Sequence, residues 1–461
     1  MPTSMPRALA NKVKDVLNYA AEQPAVDVDT RTNTVTPPPS YDYLDDEAKA
    51  EVAQKVADVE PRIADVLDEG DAVDDEVARA IAKASGLPGP VHTASSLEDL
   101  LGVSNDGPLA PGEVRNRGPV AGTDGKPGIP GIKAADLGEV ITLPNGKKVA
   151  IFGDSYGKPQ VGPPTDPTNT HYPSVAVPVT FDAKGRPHFG PPLTGPDGKN
   201  VLFPLPEEAK RAGANNALPA GSITIGKDTY MMVVGTNTNE GLNPKGGSWL
   251  VKVTNDPAGG WRPVDGSYRP WSPNADPGKG PIPPTQISGY QASDGKVYIA
   301  ADAFDRSQGV TMYRVDPDQV WNRGQWEPYN GNNTWGPAGQ PATTTITPPG
   351  QHWGELSFRE VDGKPVLSGT NLNNDSTKIP TVEVHVGDNP TQVLNPDTSP
   401  KTVVMSNDPN APNFVPAPYG GYILPGSTLD NLGIFGSQWY EPQGGPVHYD
   451  VQDIRANVKP G

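Results

Sequence analysis

Val149-Ala-Ile-Phe-Gly-Asp154 is a short apolar strand that ends on small and polar residues, and the same phrase returns four more times. The copies are Tyr230-Met-Met-Val-Val-Gly-Thr-Asn237, Val297-Tyr-Ile-Ala-Ala-Asp302, Val366-Leu-Ser-Gly-Thr-Asn371 and Leu432-Gly-Ile-Phe-Gly-Ser-Gln-Trp439. Four of the five follow a turn pair or triplet, at Gly146-Lys147, Gly226-Lys227, Asp294-Gly-Lys296 and Asp362-Gly-Lys364; the fifth follows Leu429-Asp-Asn431. From the second copy on, the phrases begin 67, 69 and 66 residues apart. The first interval is longer, and the stretches 157–170 and 190–213 read as inserted loops. A fixed period of one small sheet per repeat predicts a propeller, because no single unit buries its own face.

A second set of segments lies just upstream and keeps phase with the first. Ala135-Asp-Leu-Gly-Glu-Val-Ile141, Ala220-Gly-Ser-Ile-Thr-Ile225, Thr285-Gln-Ile-Ser-Gly-Tyr290, Gly354-Glu-Leu-Ser-Phe358 and Tyr419-Gly-Gly-Tyr-Ile-Leu424 each enter a strand through small or polar residues. These are expected as innermost strands, each forming a hairpin with the phrase that follows. Small residues suit strands that converge on an axis. An antiparallel sandwich with glycine-rich hairpins would share the hairpins but has no reason to keep the two sets in step. The expected fold is therefore mainly β, a five-bladed β-propeller with an N-terminal α-helical region.

The chain has 461 residues, too many for one compact core, and its 56 prolines and 52 glycines favour short strands and many turns. Residues 1–118 hold 22 acidic against 11 basic residues and most of the helical spacing. A helix is expected over Pro6–Gln23, with Leu9, Val13, Val16, Leu17 and Ala20 on one face. Further helical spacing runs over Tyr43–Leu67, where Pro61 is expected to interrupt it, and over Asp74–Ala84. Ser95-Ser-Leu-Glu98 has the pattern of a capping box. This reading gives an acidic helical region over 1–118, a Gly/Pro linker over 119–133 and the propeller over 134–461. The glycines at 122, 125, 128 and 131 fall every third residue, but so few triplets read better as a linker than as a collagen-like strand.

No stretch is apolar enough for a membrane span, and the net charge of −17 makes nucleic acid and anionic lipid poor partners. With no cysteine there is no disulfide, thiolate nucleophile or cysteine-based zinc site. His171, His352 and His448 show no metal-ligand spacing, so no metal is expected. No cofactor is called for, and a structural cation in the channel remains compatible with the pattern. A neutral polysaccharide fits the charge.

The channel-facing positions offer carboxylates. Asp136 opens the first inner strand and Asp154 ends its hairpin partner; Glu355 opens the fourth inner strand and Asp302 ends the phrase of the third repeat. Paired carboxylates beside a sugar are the equipment of glycoside hydrolysis, one as proton donor and the other as base or nucleophile. Strand-end aspartates also commonly cap turns. Asn216, Asn237, Gln286, Asn371 and Gln438 are candidates for binding sugar hydroxyls. Tyr156, Tyr172, Trp249, Tyr290, Trp335, Trp353, Tyr419, Tyr422, Trp439 and Tyr440 could stack on sugar faces or pack between blades.

The ordered set Ala134-Ala-Asp-Leu-Gly138, Phe152-Gly-Asp-Ser155, Gly354-Glu-Leu-Ser357, Tyr419-Gly-Gly-Tyr422 and Ser437-Gln-Trp439 resembles an actinobacterial family long catalogued as a domain of unknown function. That family has since been linked to endo-D-arabinanases that cut the D-arabinan of mycobacterial arabinogalactan and lipoarabinomannan. Its members occur in mycobacteria, related actinobacteria and their phages. The resemblance spans about Gly122 to Val458 and implies a five-bladed propeller with Asp136 and Asp154 as the catalytic pair. Ser155 stands where the family commonly has Thr. The loops after Tyr156 and Gly190 depart from the pattern, so subsite contacts do not carry over.

The first residues lack the apolar core of a secretory signal. An enzyme of the cell envelope would then reach its substrate on a phage tail, with residues 1–118 attaching it to other tail proteins or to further copies of itself. The alternative function is a binding module or structural tail protein that recognises arabinan without cutting it.

Overall fold

The computed structural model describes residues 7–30, 33–85, 108–182, 184–195, 202–241, 243–271, 284–372, 378–443 and 445–460. The chain divides into two compact units, Met1–Pro108 and Leu109–Gly461.

The first unit is helical. Helix α1 (Arg7–Ala21) packs on α2 (Asp46–Ser85), with a short hairpin of β1 (Asp27–Asp29) and β2 (Thr34–Thr36) between them in sequence. Leu9, Val13, Val16 and Ala20 recur at helical spacing and are buried against Val52, Val59, Ile63 and Val66 of α2. The Asp45 side chain opens α2 by accepting from the amide of Ala48 at 2.9 Å. Pro61 does not end the helix as its missing donor suggested. It lies on the exposed face, away from the seam with α1, so apolar burial carries the helix through it. The segment 95–98 lies outside the described residues.

The second unit is mainly β. It begins with β3 (Val114–Gly122), followed by the antiparallel run β4 (Ala134–Thr142), β5 (Lys148–Tyr156), β6 (His171–Phe181) and β7 (Pro187–Phe189). A short helix, α3 (Glu207–Arg211), precedes β8 (Asn216–Ile225), β9 (Asp228–Thr236) and β10 (Ser248–Lys252). Next come β11 (Gln286–Gln291), β12 (Val297–Asp302), β13 (Thr311–Val315) and β14 (Glu327–Pro328), then β15 (Trp353–Val361), β16 (Lys364–Asn371), β17 (Thr381–Val386) and β18 (Lys401–Ser406). The last run is β19 (Pro418–Ile423), β20 (Leu432–Tyr440) and β21 (His448–Ala456). All five expected hairpins are present, as β4–β5, β8–β9, β11–β12, β15–β16 and β19–β20. The second and third groups share one sheet only through a parallel contact of β8 with β11 at Ile223 and Thr224.

Among the described residues, the five largest apolar cores of this unit fill the spaces between successive groups. They run from first to second, second to third, third to fourth, fourth to fifth, and from the fifth back to the first. Burying both faces of each sheet explains why the strand phrases are so uniformly apolar. Trp249, Trp353 and Tyr290 belong to these cores and not to an exposed rim.

The segment read as a linker is structural. β3 pairs antiparallel with β21 and completes the last sheet, and Ile129 and Ile132 are buried in the core between the fifth and first groups. Glycine and proline dominate its composition, but the few apolar residues among them are the ones that seat it.

Candidate active site

Four of the five first strands carry a β-bulge near their entrance. Register shifts fall between Ala134 and Glu139 in β4, Pro219 and Ser222 in β8, Gly354 and Ser357 in β15, and Gly420 and Tyr422 in β19. A bulge re-aims side chains at the cost of unusual backbone angles, which glycine tolerates best. Gly221 and Gly421 supply that freedom in β8 and β19, at φ +89° and +116°. In β4 and β15 the left-handed residues include Leu137 (φ +71°) and Glu355 (φ +48°), and Asp154 at the end of β5 is likewise left-handed (φ +36°). Among the described residues, four of the ten left-handed non-glycine positions, Leu137, Asp154, Arg306 and Glu355, lie at the carboxylates, and such strain recurs at functional sites.

Two serines hold the bulge that carries Asp136. Ser155 Oγ accepts from the amide of Asp136 at 3.2 Å and donates to the Gly153 carbonyl at 2.7 Å. Ser437 Oγ, from β20, accepts from the amide of Leu137 at 3.0 Å. The Ser155 hydroxyl is therefore an anchor for the Asp136 backbone, a role that Thr would equally fill.

Around that bulge the chain collects an ionisable cluster. Asp136 is pushed up to about 7, first by burial and then by the charges of Asp154 and Glu355, while the phenols of Tyr419 and Tyr449 work against the rise. Its Oδ1 is enclosed and makes no full hydrogen bond, and neither does the Tyr419 hydroxyl that faces it. Asp154 is more open, with its side chain 34% exposed, and its Oδ1 lies 2.5 Å from Nε2 of His171. The His171 ring packs tilted against Tyr156 with centroids 4.9 Å apart, and the Tyr449 hydroxyl donates to the Asp154 carbonyl at 3.0 Å. Two carboxylates thus share one site in different surroundings, the enclosed one holding its proton to higher pH than an ordinary carboxyl.

Glu355 forms the other wall. Its Oε1 accepts from Nε and Nη2 of Arg306 at 2.8 and 2.5 Å, and its Oε2 accepts from Thr370 Oγ1 at 3.0 Å. The guanidinium of Arg306 lies 5.2 Å from the centre of the Tyr419 ring. Burial works against the Arg306 charge, but Glu355 more than offsets it and raises the pKa. Gly354 makes room for this arginine, since a Cβ there would stand 2.7 Å from Arg306 Cγ. Asp302, 2% exposed, is held well above its usual range by burial and by Glu355, against the pull of Arg306. Gln286 is its cross-strand partner, and both Asp302 oxygens and Gln286 Oε1 are buried without a hydrogen-bond partner.

The structure therefore brings together Asp136, Asp154, Glu355 and Tyr419, with Asp302 and Gln286 alongside. Other candidates have local duties. Asn237 donates to the Gly213 carbonyl and accepts from the amide of Asn239, so it organises its own loop. Asn216 donates to Thr236, and Asn371 is buried with its amide 3.5 Å from Glu383. Gln438 pairs with Gln452 at 3.5 Å. Trp439 is exposed at 47%, its indole donating to Glu441, and can serve as a rim platform.

Sequence reading missed Arg306, Tyr449 and the pairing of His171 with Asp154. None belongs to the repeating phrases; Arg306 sits in the loop after the third phrase, and only the fold shows where such singular residues point. It also missed that Asp124, His448 and Asp450 have ligand atoms within 4.8 Å of one another, one of the three lying more than 300 residues away in the chain. There His448 Nδ1 is 2.8 Å from Asp124, and Thr123 and Gln452 donate to Asp450.

Residues 126–455 match the family described as Domain of unknown function (DUF4185). The chain belongs to that family. An uncharacterised 35.9 kDa protein of Mycolicibacterium smegmatis is 34% identical over 363 residues, covering 74% of this chain and 98% of its own. Among solved structures, the chain is similar to the α-L-arabinofuranosidase PaAbf62A of Podospora anserina, at 10% identity and a TM-score of 0.40 over 75% of this chain and 98% of that one. It is also similar to the α-L-arabinofuranosidase CtGH43 of Clostridium thermocellum, at 14% identity and a TM-score of 0.37 over 69% of this chain and 95% of that one.

Proposed function

We propose that the second unit is a five-bladed β-propeller glycoside hydrolase that cuts arabinofuranosyl linkages within the D-arabinan of the mycobacterial envelope. The five antiparallel groups, with a core between each and the next and back to the first, support the architecture. One observation carries the chemistry: Asp136, enclosed and protonated up to about pH 7, shares its site with the more open Asp154.

In this reading Asp136 is the general acid. Burial keeps its proton until the glycosidic oxygen begins to leave, and the bulge serines fix the direction in which it is offered. Asp154, oriented by His171, acts on the anomeric carbon, directly or through water. Glu355 keeps the proton on Asp136 by its charge, and Arg306 holds Glu355 in place. Tyr419 packs behind Asp136, and the exposed Trp439 offers a face to the sugar chain. The action is endo, on arabinogalactan and lipoarabinomannan, and the helical unit attaches the enzyme to a phage tail. The resemblance of the motifs supports the substrate, and the division into two units supports a separate attachment module. Incubation of the purified chain with arabinogalactan, followed by chromatography, tests the reading. Release of arabinose oligosaccharides is expected; an unchanged polymer that nevertheless binds the protein would favour a recognition module.

A further inference from the structure

Away from the carboxylates, the second and third groups line a cavity of about 150 Å³ that opens to solvent, bordered by Arg269, Pro284, Tyr313, Arg323, Trp326 and Gln340, among others. Arg323 is 6% exposed. Its Nη1 donates to Ser248 Oγ at 2.9 Å and to the Ser248 and Ser267 carbonyls, and its Nη2 donates to the Pro284 carbonyl at 2.8 Å. Arg269 Nη1 donates to the carbonyls of Gly266 and Tyr268 at 2.9 and 2.8 Å. Every one of these acceptors is neutral.

That sets the pair apart. Arg117 and Arg455 sit against Asp453, Arg306 against Glu355 and Arg359 against Glu139. Burying a cation without a counter-charge is unfavourable even when its donors are satisfied. A clamp tying β10 to the entrance of β11 accounts for the four bonds of Arg323. It does not account for a second guanidinium on the same cavity, whose charge makes the first harder to bury. Together they push Arg323 down to about 9, burial first and Arg269 next.

We propose that this cavity is an oxyanion site, in which Arg269 and Arg323 hold a carboxylate or phosphate group beside the Tyr313 and Trp326 rings. Guanidinium forks match the geometry of both groups, and the volume admits one such group. Ser248 opens β10 and Pro284 precedes β11, so the cavity lies at the strand ends that also carry the carboxylate site. Resting on the hydrolase reading, an acidic substituent on the bound glycan would be its occupant.

Calorimetric titration of the full chain at low ionic strength with sodium phosphate and with sodium acetate tests the site. Saturable binding with a dissociation constant on the order of millimolar is expected, weakening with added chloride. Arg269→Gln should weaken it at least about ten-fold, and Arg269→Lys, which keeps charge but loses the fork, by less. Thermal melts confirm that both variants fold. Arabinose 5-phosphate binding more tightly than phosphate would assign the anion to a glycan; equal binding would assign it to the free ion. Failure of both anions to saturate by about 50 mM, or unchanged binding by Arg269→Gln, overturns the proposal. Arg269→Gln should cleave neutral arabinan at the wild-type rate; absence of cleavage by the wild type would count against the hydrolase and leave the titration standing.

Discussion

Asp136 is costly to the folded chain, and its substitution should show that cost. A carboxyl whose native pKa exceeds its ordinary value is stabilised by keeping its proton. That contribution is full below about pH 4 and is lost as pH rises through about 7. Asp136→Asn should therefore melt higher than the wild type at pH 8 and no higher at pH 4, as read by thermal denaturation across that range. Wild-type kcat/KM should fall as pH rises past about 7, where the acid loses its proton. Glu355→Gln removes a negative neighbour and frees Arg306, so it should move that fall to lower pH. Its activity should drop roughly ten- to a hundred-fold, less than in either aspartate variant. At this scale the sequence was legible where a residue belonged to the repeat: Asp136, Asp154 and Glu355 could be picked out by position alone. Arg306 and Tyr449 could not, because their use depends on which loop crosses which strand.

The bulges of the first strands bring the carboxylates together, and the glycines within them answer to contacts that hairpin patterns do not reveal. A Cβ on Gly221 would stand 1.7 Å from the Ile287 carbonyl oxygen, where β8 meets β11. Gly221→Ala should cost on the order of 3 kcal/mol or more in denaturant unfolding. Gly226→Ala, at a turn with φ +56° and open space around it, should cost about 1 kcal/mol. Hairpins were readable because alternation, turn residues and phase all agreed. Two elements were not. Composition hid β3 behind glycine and proline, and Pro61 appeared to divide a helix whose buried face is uninterrupted.

For the whole molecule, β3 decides where the β unit begins. A fragment from Leu109 should fold and keep any hydrolytic activity. A fragment from Val120 loses most of β3, leaves the edge of β21 unpaired and removes the contact between Arg117 and Asp453. It should melt lower by on the order of 5 °C or more, or fail to fold, in thermal scans of the two fragments. The five phased hairpins were legible in the sequence, but the pairing of β3 with β21 needed the structure. The proposed function stands or falls with Asp136 and Asp154 acting together on arabinan. Its most direct test measures oligosaccharide release from arabinogalactan by the wild type, Asp136→Asn and Asp154→Asn, with substrate binding followed in parallel. Release by the wild type, a loss of about 10³-fold or more in each variant and retained binding are predicted; near-wild-type release by either variant would contradict the assignment.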